Sequence, residues 1–470
     1  MFSNHDAEVV GFDSKSSAVK STNEIGSQTI PLSCDEKGTG PAPTHSIQCQ
    51  TSSDARNNTA PDVDYDRLAA WLKRIYPLVE EQLTNDQDEA AFENYKPDID
   101  SADNVSKLLN TLQKPDWESK HQPKFRVSCL DWNCTGNTIA VAFSEEHESL
   151  CIHDVFVHTY SINRNGNYVD PPTNKLLVPA CISTIKYHPT EPSVLVAGCV
   201  SGQIILWIPT PEKRDMVSNT FTGHTESVTQ IAWHKIESLN DYIIISSGVD
   251  AAVIIWDVDI QLHKLTLKER YKIHLPQLMN RMVLRSERGV TCFSFSLIKP
   301  DKFVVGVEGG NVLGCSLNAA KPLPEVIDGL TSLNPVVTQY EGHEGDVRTA
   351  SYSPYRKNIF FSCGPEGDIH IYDEDQEIAL QIIFAKENLY KCYWIPSEEK
   401  ALIACGEKGI KLFSLQNGQP IIHLAEDCKD ALTHIAFNSR SPNLTAVGNL
   451  SGEVMLWNIP FRKLVETVKM

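Results

Sequence analysis

The strongest constraint on the fold of this 470-residue chain is a pattern that recurs from about residue 126 onward. Its most complete copy, residues 223–257, opens with Gly-His, continues through three short apolar runs and closes with Trp-Asp. Such runs, separated by turn residues, predict antiparallel strands. Seven runs of the first kind begin at Ser128, Ile182, Val228, Val290, Val347, Leu389 and Leu432. The third runs carry an aromatic residue or a cysteine at one position, namely Tyr160, Trp207, Trp256, Cys315, Tyr372, Phe413 and Trp457.

This pattern resembles the WD repeat, one four-stranded blade of a β-propeller. We therefore predict an all-β, seven-bladed WD-repeat propeller over residues 121–470, preceded by a disordered segment (1–62) and an amphipathic helical segment with a linker (63–120). A glycine five positions before the third-run residue predicts hairpins with positive φ; these are Gly202, Gly310, Gly367 and Gly452. Residues 464–468 are predicted as the last fourth strand, so that the ring closes without an N-terminal strand.

Within the third blade, we expect His224, Asp250, Trp256 and a serine, Ser246 or Ser247, to form a buried chain of hydrogen bonds. A His-Asp-Ser set also occurs in hydrolase triads, but inside a WD repeat the structural role is favoured. The only other repeat that opens with Gly-His contains His343 and Tyr372, for which we predict the same structural role.

The composition of the chain argues against several classes of function. A formal net charge of −18 argues against a protein that grips nucleic acid, although an acidic surface could attract basic peptides. The thirteen cysteines are scattered and include no C-x-x-C pair, which predicts neither a metal site nor a disulfide framework. No apolar run is long enough to predict membrane insertion. Since no phosphate loop, nucleophile elbow or carboxylate pair is present, we expect no catalytic residues and no cofactor.

Two similar short segments lie within residues 1–62, whose polar composition predicts disorder. They start at Ile25 and Ile47, 22 positions apart, and both end in Gln-Thr. Either they are linear binding motifs, or a polar segment has produced two Gln-Thr pairs by chance. The first comprises Ile25, Gly26, Ser27, Gln28 and Thr29, and the second comprises Ile47, Gln48, Cys49, Gln50 and Thr51.

An amphipathic helix is predicted to follow, capped by Asp64 and kinked or split near Tyr76 by Pro77. Its apolar residues form a single stripe: Leu68, Leu72, Ile75, Tyr76, Val79 and Leu83. This stripe packs either on the propeller of the same chain or on another subunit. A second, weaker helix is predicted over residues 104–112.

Residues 264–288 are rich in lysine and arginine in an otherwise acidic chain. Part of this segment must supply the outer strand of a blade, where lysines commonly guard an open edge. The segment could equally be a docking site for an acidic partner, and the sequence alone leaves both interpretations open.

The order of tandem Gln-Thr motifs, amphipathic helix and seven-bladed propeller resembles the dynein intermediate chain family. Details are similar to the smaller intermediate chain of the intraflagellar-transport (second cytoplasmic) dynein; they lie in residues 68–75, 91–95, 128–136, 187–193, 307–310 and 353–360. The resemblance implies that residues 25–29 and 47–51 add a strand to the small homodimeric dynein light chain. Ser27 and Cys49 replace the first threonine of that motif, but tandem weak sites can compensate through effective concentration.

The same resemblance implies further partners. The helical stripe would bind a roadblock-type light chain, and the propeller would bind the tail of the dynein heavy chain beside a second intermediate chain. The implied function is to scaffold a retrograde ciliary motor in the cytoplasm, cytoskeleton, cilium and basal body. Alternatives are an intermediate chain of a conventional cytoplasmic or axonemal dynein, a ubiquitin-ligase substrate receptor and a chromatin-reading propeller. The Trp-Asp-x-Arg ending typical of ligase receptors is absent, since the third repeat ends in Trp256-Asp257-Val258-Asp259.

Overall fold

In a computed structural model of the protein, the described residues are 65–88, 106–112, 125–145, 151, 154–162, 172–209, 216–236, 241–275, 287–327, 329–424 and 430–467. The chain divides into an N-terminal unit, Met1–Lys96, and a second unit, Pro97–Met470. The described part of the first unit is one helix, α1 (Tyr65–Asp88). It runs continuously through Pro77, so the predicted split is not observed, and Asp64 lies outside the described residues.

The second unit contains seven antiparallel blades, as predicted. In chain order, the first strand is β1 (Lys107–Leu112). Blade 1 consists of β2 (Phe125–Trp132), β3 (Thr138–Glu145), β4 (Val155–Ser161) and β5 (Asn174–Val178). Blade 2 consists of β6 (Ile182–Tyr187), β7 (Leu195–Cys199), β8 (Gln203–Pro209) and β9 (Met216–Thr222). Blade 3 consists of β10 (Val228–Ile236), β11 (Asp241–Gly248), β12 (Ala252–Asp259) and β13 (Lys264–Lys272).

Blade 4 consists of β14 (Val290–Phe295), β15 (Lys302–Val307), β16 (Val312–Ser316) and β19 (Val336–Tyr340), with a hairpin of β17 (Lys321–Ile327) and β18 (Leu330–Asn334) inserted before β19. Blade 5 consists of β20 (Thr349–Tyr352), β21 (Ile359–Cys363), β22 (Asp368–Asp373) and β23 (Gln381–Phe384). Blade 6 consists of β24 (Leu389–Ile395), β25 (Glu398–Gly406), β26 (Gly409–Ser414) and β27 (Pro420–Leu424). Blade 7 consists of β28 (Leu432–Phe437), β29 (Leu444–Asn449), β30 (Val454–Asn458) and β1, and helix α2 (Phe461–Thr467) follows it.

The core lies between the blades. Seven hydrophobic clusters each combine residues of two neighbouring blades, including one that joins blade 7 to blade 1. Each blade therefore buries both faces of its sheet against its neighbours, and the ring is closed. The alternation of side chains along every strand is what supplies an apolar residue to each face.

Three sequence predictions about the two ends of the propeller were wrong: the second helix, the strand over residues 464–468, and ring closure without an N-terminal strand. Residues 107–112 form strand β1, not the predicted second helix, and β1 pairs with β30 as the outer strand of blade 7. Most of its side chains are exposed, so it lacks the alternation that identifies a strand. The predicted strand over residues 464–468 is instead helix α2 over most of its length. Buried Phe461, Leu464 and Val465 have the i, i+3, i+4 spacing of a helix face.

The hairpin glycines adopt the positive φ that the sequence predicted. The φ angles are 84° at Gly202, 86° at Gly310, 87° at Gly367 and 85° at Gly452. At Gly310 the backbone of the next repeat also approaches closely, because a Cβ there would lie 1.9 Å from the carbonyl oxygen of His343. Glycine is therefore required at this turn both for its conformation and for space.

We expect Leu112→Ala to lower the free energy of unfolding by about 2–5 kcal/mol, because Leu112 is buried in the cluster that closes the ring. The matched control is Leu109→Ala on the same strand, where the side chain is 56% exposed and the change should stay within about 0.5 kcal/mol. Denaturant unfolding of the full chain measures both. Equal effects of the two substitutions would show that β1 does not close the ring.

Candidate functional site

The predicted hydrogen-bonded chain of blade 3 is present in the structure, and Ser246 is the serine that takes part. Trp256 Nε1 donates to Ser246 Oγ (2.9 Å), which lies 2.8 Å from His224 Nε2. His224 Nδ1 lies 2.9 Å from Asp250 Oδ1. Since an ionised carboxylate only accepts, His224 Nδ1 donates to Asp250.

This Asp-His-Ser arrangement has the connectivity of a hydrolase triad but not its accessibility. Ser246 is fully buried, and its oxygen already receives the Trp256 N–H. A nucleophile must reach a substrate, so the buried position supports a structural role. This chain of hydrogen bonds instead joins the start of the repeat to the second and third strands of its blade.

Asp250 anchors this chain through several donors. It accepts hydrogen bonds from the backbone amides of Thr225 (3.0 Å) and Ala252 (3.2 Å), and from Arg270 Nη2 (3.4 Å). Burial alone would raise the pKa of the Asp250 carboxyl, but His224 and the two amides outweigh that effect and lower the pKa below its ordinary value. The carboxylate is thus held in its charged form inside the blade.

The second Gly-His repeat, in blade 5, builds a different network. His343 Nε2 lies 2.7 Å from Ser362 Oγ, which donates to the hydroxyl of Tyr372 (3.3 Å). Tyr372 in turn donates to the carbonyl of Glu341 (2.5 Å), and its oxygen lies 3.1 Å from His370 Nδ1. Burial, together with neighbouring His370, lowers the pKa of His343 to about 3. A tyrosine and a second histidine therefore take part where blade 3 uses tryptophan and aspartate.

Helix α1 exposes the apolar stripe that the sequence predicted. Leu68 (42%), Leu72 (52%), Tyr76 (67%) and Val79 (48%) are exposed, and Ile75 is half-buried. The side chain of Leu83 lies outside the described residues. Trp71, which was not among the predicted residues, is 47% exposed at the margin of the stripe. Its spacing of i+3 from Leu68 and i−4 from Ile75 is the signal that would have included it.

Two cations of the basic segment, Arg270 and Lys272, are engaged within the chain. Arg270 is buried, donates to the carbonyl of Gly223 (2.8 Å) and contacts Asp250. Lys272 pairs with Glu287 (3.1 Å) and with Glu325 (2.9 Å) of the β17–β18 hairpin. These contacts favour the structural interpretation for Arg270 and Lys272. Residues 276–286, which include Arg281 and Arg285, lie outside the described residues.

The Gln-Thr motifs at residues 25–29 and 47–51 lie outside the described residues, so their interpretation remains a prediction. Among the residues that the structure describes, no group of three or more His, Cys, Asp or Glu side chains could hold a metal ion. Within the same part of the chain, no helix is long and apolar enough to cross a membrane.

Comparison with known proteins agrees with this architecture. The family "WD domain, G-beta repeat" matches residues 216–257 and 334–373. Cytoplasmic dynein 2 intermediate chain 2 of Mus musculus is 27% identical over 480 residues, which cover 96% of this chain and 88% of the relative. The Homo sapiens protein of that name is 26% identical, covering 84% of this chain and 76% of the relative. Dynein axonemal intermediate chain 2 of Homo sapiens is 24% identical over 58% of this chain and 41% of its own length.

We expect Asp250→Ala to lower the free energy of unfolding by about 3–5 kcal/mol, because it leaves the buried charge of Arg270 without its carboxylate partner. The control is Asp257→Ala in the same blade. Asp257 pairs with Lys268 at the surface, where both side chains are about half exposed, so its loss should stay below about 1 kcal/mol. Denaturant unfolding compares the two variants, and a similar loss in both would contradict an anchoring role for Asp250.

Acidification should destabilise the propeller, and His343 contributes to this effect. Its pKa is lowered to about 3 in the folded protein, from an ordinary value of 6.5. Between these values the unfolded chain binds a proton that the folded chain does not, so stability is present above about pH 6.5 and is lost as pH falls toward 3. We expect His343→Gln to reduce the slope of unfolding free energy against pH near pH 5 by about 1.4 kcal/mol per unit, which corresponds to one proton. Denaturant titrations between pH 4 and 7 measure this slope, and an unchanged slope would contradict the assignment.

Proposed function

We propose that this chain is a dynein intermediate chain and acts as a non-catalytic scaffold of the dynein 2 type. In this role it binds light chains through its N-terminal unit and the tail of the motor heavy chain through its propeller. The complex would support retrograde intraflagellar transport and cilium assembly, and the chain would act in the cytoplasm, cytoskeleton, cilium and basal body. Similarity to cytoplasmic dynein 2 intermediate chains along nearly the whole chain supports this choice over other propeller functions.

One observation carries the light-chain part of the proposal. Helix α1 presents exposed large apolar side chains, including Trp71 (47%) and Tyr76 (67%). Aromatic and aliphatic residues on one helix face are typical anchors for a partner protein. We assign this face to a roadblock-type light chain, and the motifs containing Gln28 and Gln50 to the small homodimeric dynein light chain.

The propeller supports the scaffold role through rigidity. Its blades bury both sheet faces against their neighbours, so the ring offers a fixed surface rather than a mobile one. The Asp-His-Ser chain of blade 3 is buried and stabilises the fold, which supports a function by binding alone. A second intermediate chain would supply the other propeller of the motor complex.

The test mixes the full chain with each light chain and measures complex mass by light scattering. Gln28→Ala/Gln50→Ala should weaken binding of the small homodimeric light chain by at least about tenfold and leave the roadblock type unaffected. Leu72→Asp/Ile75→Asp should instead weaken binding of the roadblock-type light chain and leave the small homodimeric light chain unaffected, because two charges would enter an apolar contact.

The matched control for the helix is Ala70→Asp/Arg74→Asp, two exposed positions on the opposite face of α1. This control should retain both light chains. Loss of the roadblock-type chain in the control would show that the helix rather than its stripe is affected. Absence of any complex with the wild-type chain would refute the light-chain scaffold.

A further inference from the structure

The outer strand of blade 5 exposes an unusual row of apolar side chains. Ile378 (72%), Leu380 (51%), Ile382 (36%) and Phe384 (59%) alternate along strand β23 and the residues that lead into it. Ile383, between the last two, is buried in the cluster shared with blade 6. The exposed side chains therefore occupy one face of the strand, and the buried ones hold the strand in place.

This row lies on an open sheet edge. Strand β23 pairs with β22 on one side and is the last strand of its sheet in the described part of the chain. The outer strand of blade 3, β13, is not the last strand of its sheet, because β18 of the inserted hairpin pairs with it. Proteins usually protect such edges with charged residues, proline or a covering element. An edge that instead retains four large apolar side chains is typical of a surface to which another strand adds.

Carboxylates lie at both ends of this row. Asp375 and Glu377 are exposed just before it. At the other end, Phe384 pairs with Asp368 across the sheet, and the next turn carries exposed Glu366.

The carboxylates near Phe384 are close enough to influence one another. Burial raises the pKa of Asp368, His370 lowers it, and Glu366 and Glu344 raise it further, so that the pKa is raised overall. Lys386 is the basic residue that follows the strand. At the other end, Lys302 lies near Asp375, and the carboxylate of exposed Glu341 accepts a hydrogen bond from the Ala379 amide (3.1 Å). Carboxylates outnumber these two lysines, so the surface is apolar along its length and acidic at its ends.

We propose that residues 378–384 are a docking site for an extended segment of another protein that carries apolar side chains at every second position and basic residues at its two ends. The apolar residues of the segment would cover Leu380, Ile382 and Phe384, while its backbone pairs with the open edge of β23. Its basic residues would meet the carboxylates at either end, which sets the preference for a cationic partner. This inference does not depend on the light-chain assignments, because it concerns a different unit of the chain.

The test uses the full chain and two fluorescent, end-blocked peptides of alternating valine and threonine, one with two lysines at each end and one with two glutamates at each end. Fluorescence anisotropy should show saturable binding of the lysine peptide and none of the glutamate peptide. Ile382→Thr/Phe384→Thr, which keeps good strand formers, should weaken lysine-peptide binding by at least about tenfold. Glu366→Gln/Glu377→Gln should weaken it as well and reduce its sensitivity to salt.

The matched control is Leu177→Thr, an equally exposed apolar residue (53%) on β5, the outer strand of blade 1. It should leave binding unchanged, and thermal unfolding should show that every variant is folded. Equal weakening by the control, equal binding of both peptides, or no binding of either would overturn the proposal. Self-association of the wild-type chain that Ile382→Thr/Phe384→Thr abolishes would assign the strand to a second copy and would also overturn it.

Discussion

The propeller depends on the contacts that join its last blade to its first. Strand β1 completes the sheet of blade 7, and side-chain hydrogen bonds join blade 7 to blade 1. Thr433 Oγ1 donates to the carbonyl of Val127 (3.0 Å), Asn438 Nδ2 to Gly136 (2.7 Å) and Trp132 Nε1 to Ala436 (3.2 Å). Closing so long a loop carries an entropic cost that no local contact offsets. The hydrophobic cluster between blades 7 and 1 provides the compensation, since an open ring would expose two apolar sheet faces.

The hydrogen bond from Thr433 to the neighbouring blade has counterparts in other blades. Thr433 sits at a bulge in the first strand of its blade, and Thr229 and Ser183 sit at the corresponding bulges of blades 3 and 2. Thr229 donates to the carbonyl of Val290 (2.8 Å) and Ser183 to that of Val228, so each hydroxyl reaches the next blade. Because neighbouring blades are joined in this way, a blade need not carry the full WD network to keep its position. This explains how a ring with mostly degenerate repeats can remain regular.

Features that depend on residues close together in the chain were predicted from the sequence, whereas features that depend on distant contacts were not. Blade number, first strands and hairpin glycines were predicted because each depends on residues close together in the chain, such as Gly310 and Cys315. Strand β1 was missed because its partner β30 lies at the other end of the sequence and its own burial pattern carries little alternation. The pairing of Lys272 with Glu325 was equally hidden, since the hairpin that carries Glu325 is inserted in a later blade. The exposed stripe of α1 was predictable from its period, whereas the roles of Gln28 and Gln50 stay predictions.

The outer strands of the blades differ in how their open edges are protected. This difference gives a regular ring distinct surfaces. The interior of every blade is fixed by its neighbours, so variation is tolerated mainly on outer strands and insertions. In blade 3 the outer strand pairs with the inserted hairpin at Tyr271 and Leu333, and Lys272 of that strand forms ion pairs within the chain. In blade 5 the outer strand keeps Leu380 and Phe384 exposed beside carboxylates. If both edges served only the fold, both would be expected to carry the same protection against strand addition. The difference between them is best explained by a partner that uses one edge and is excluded from the other.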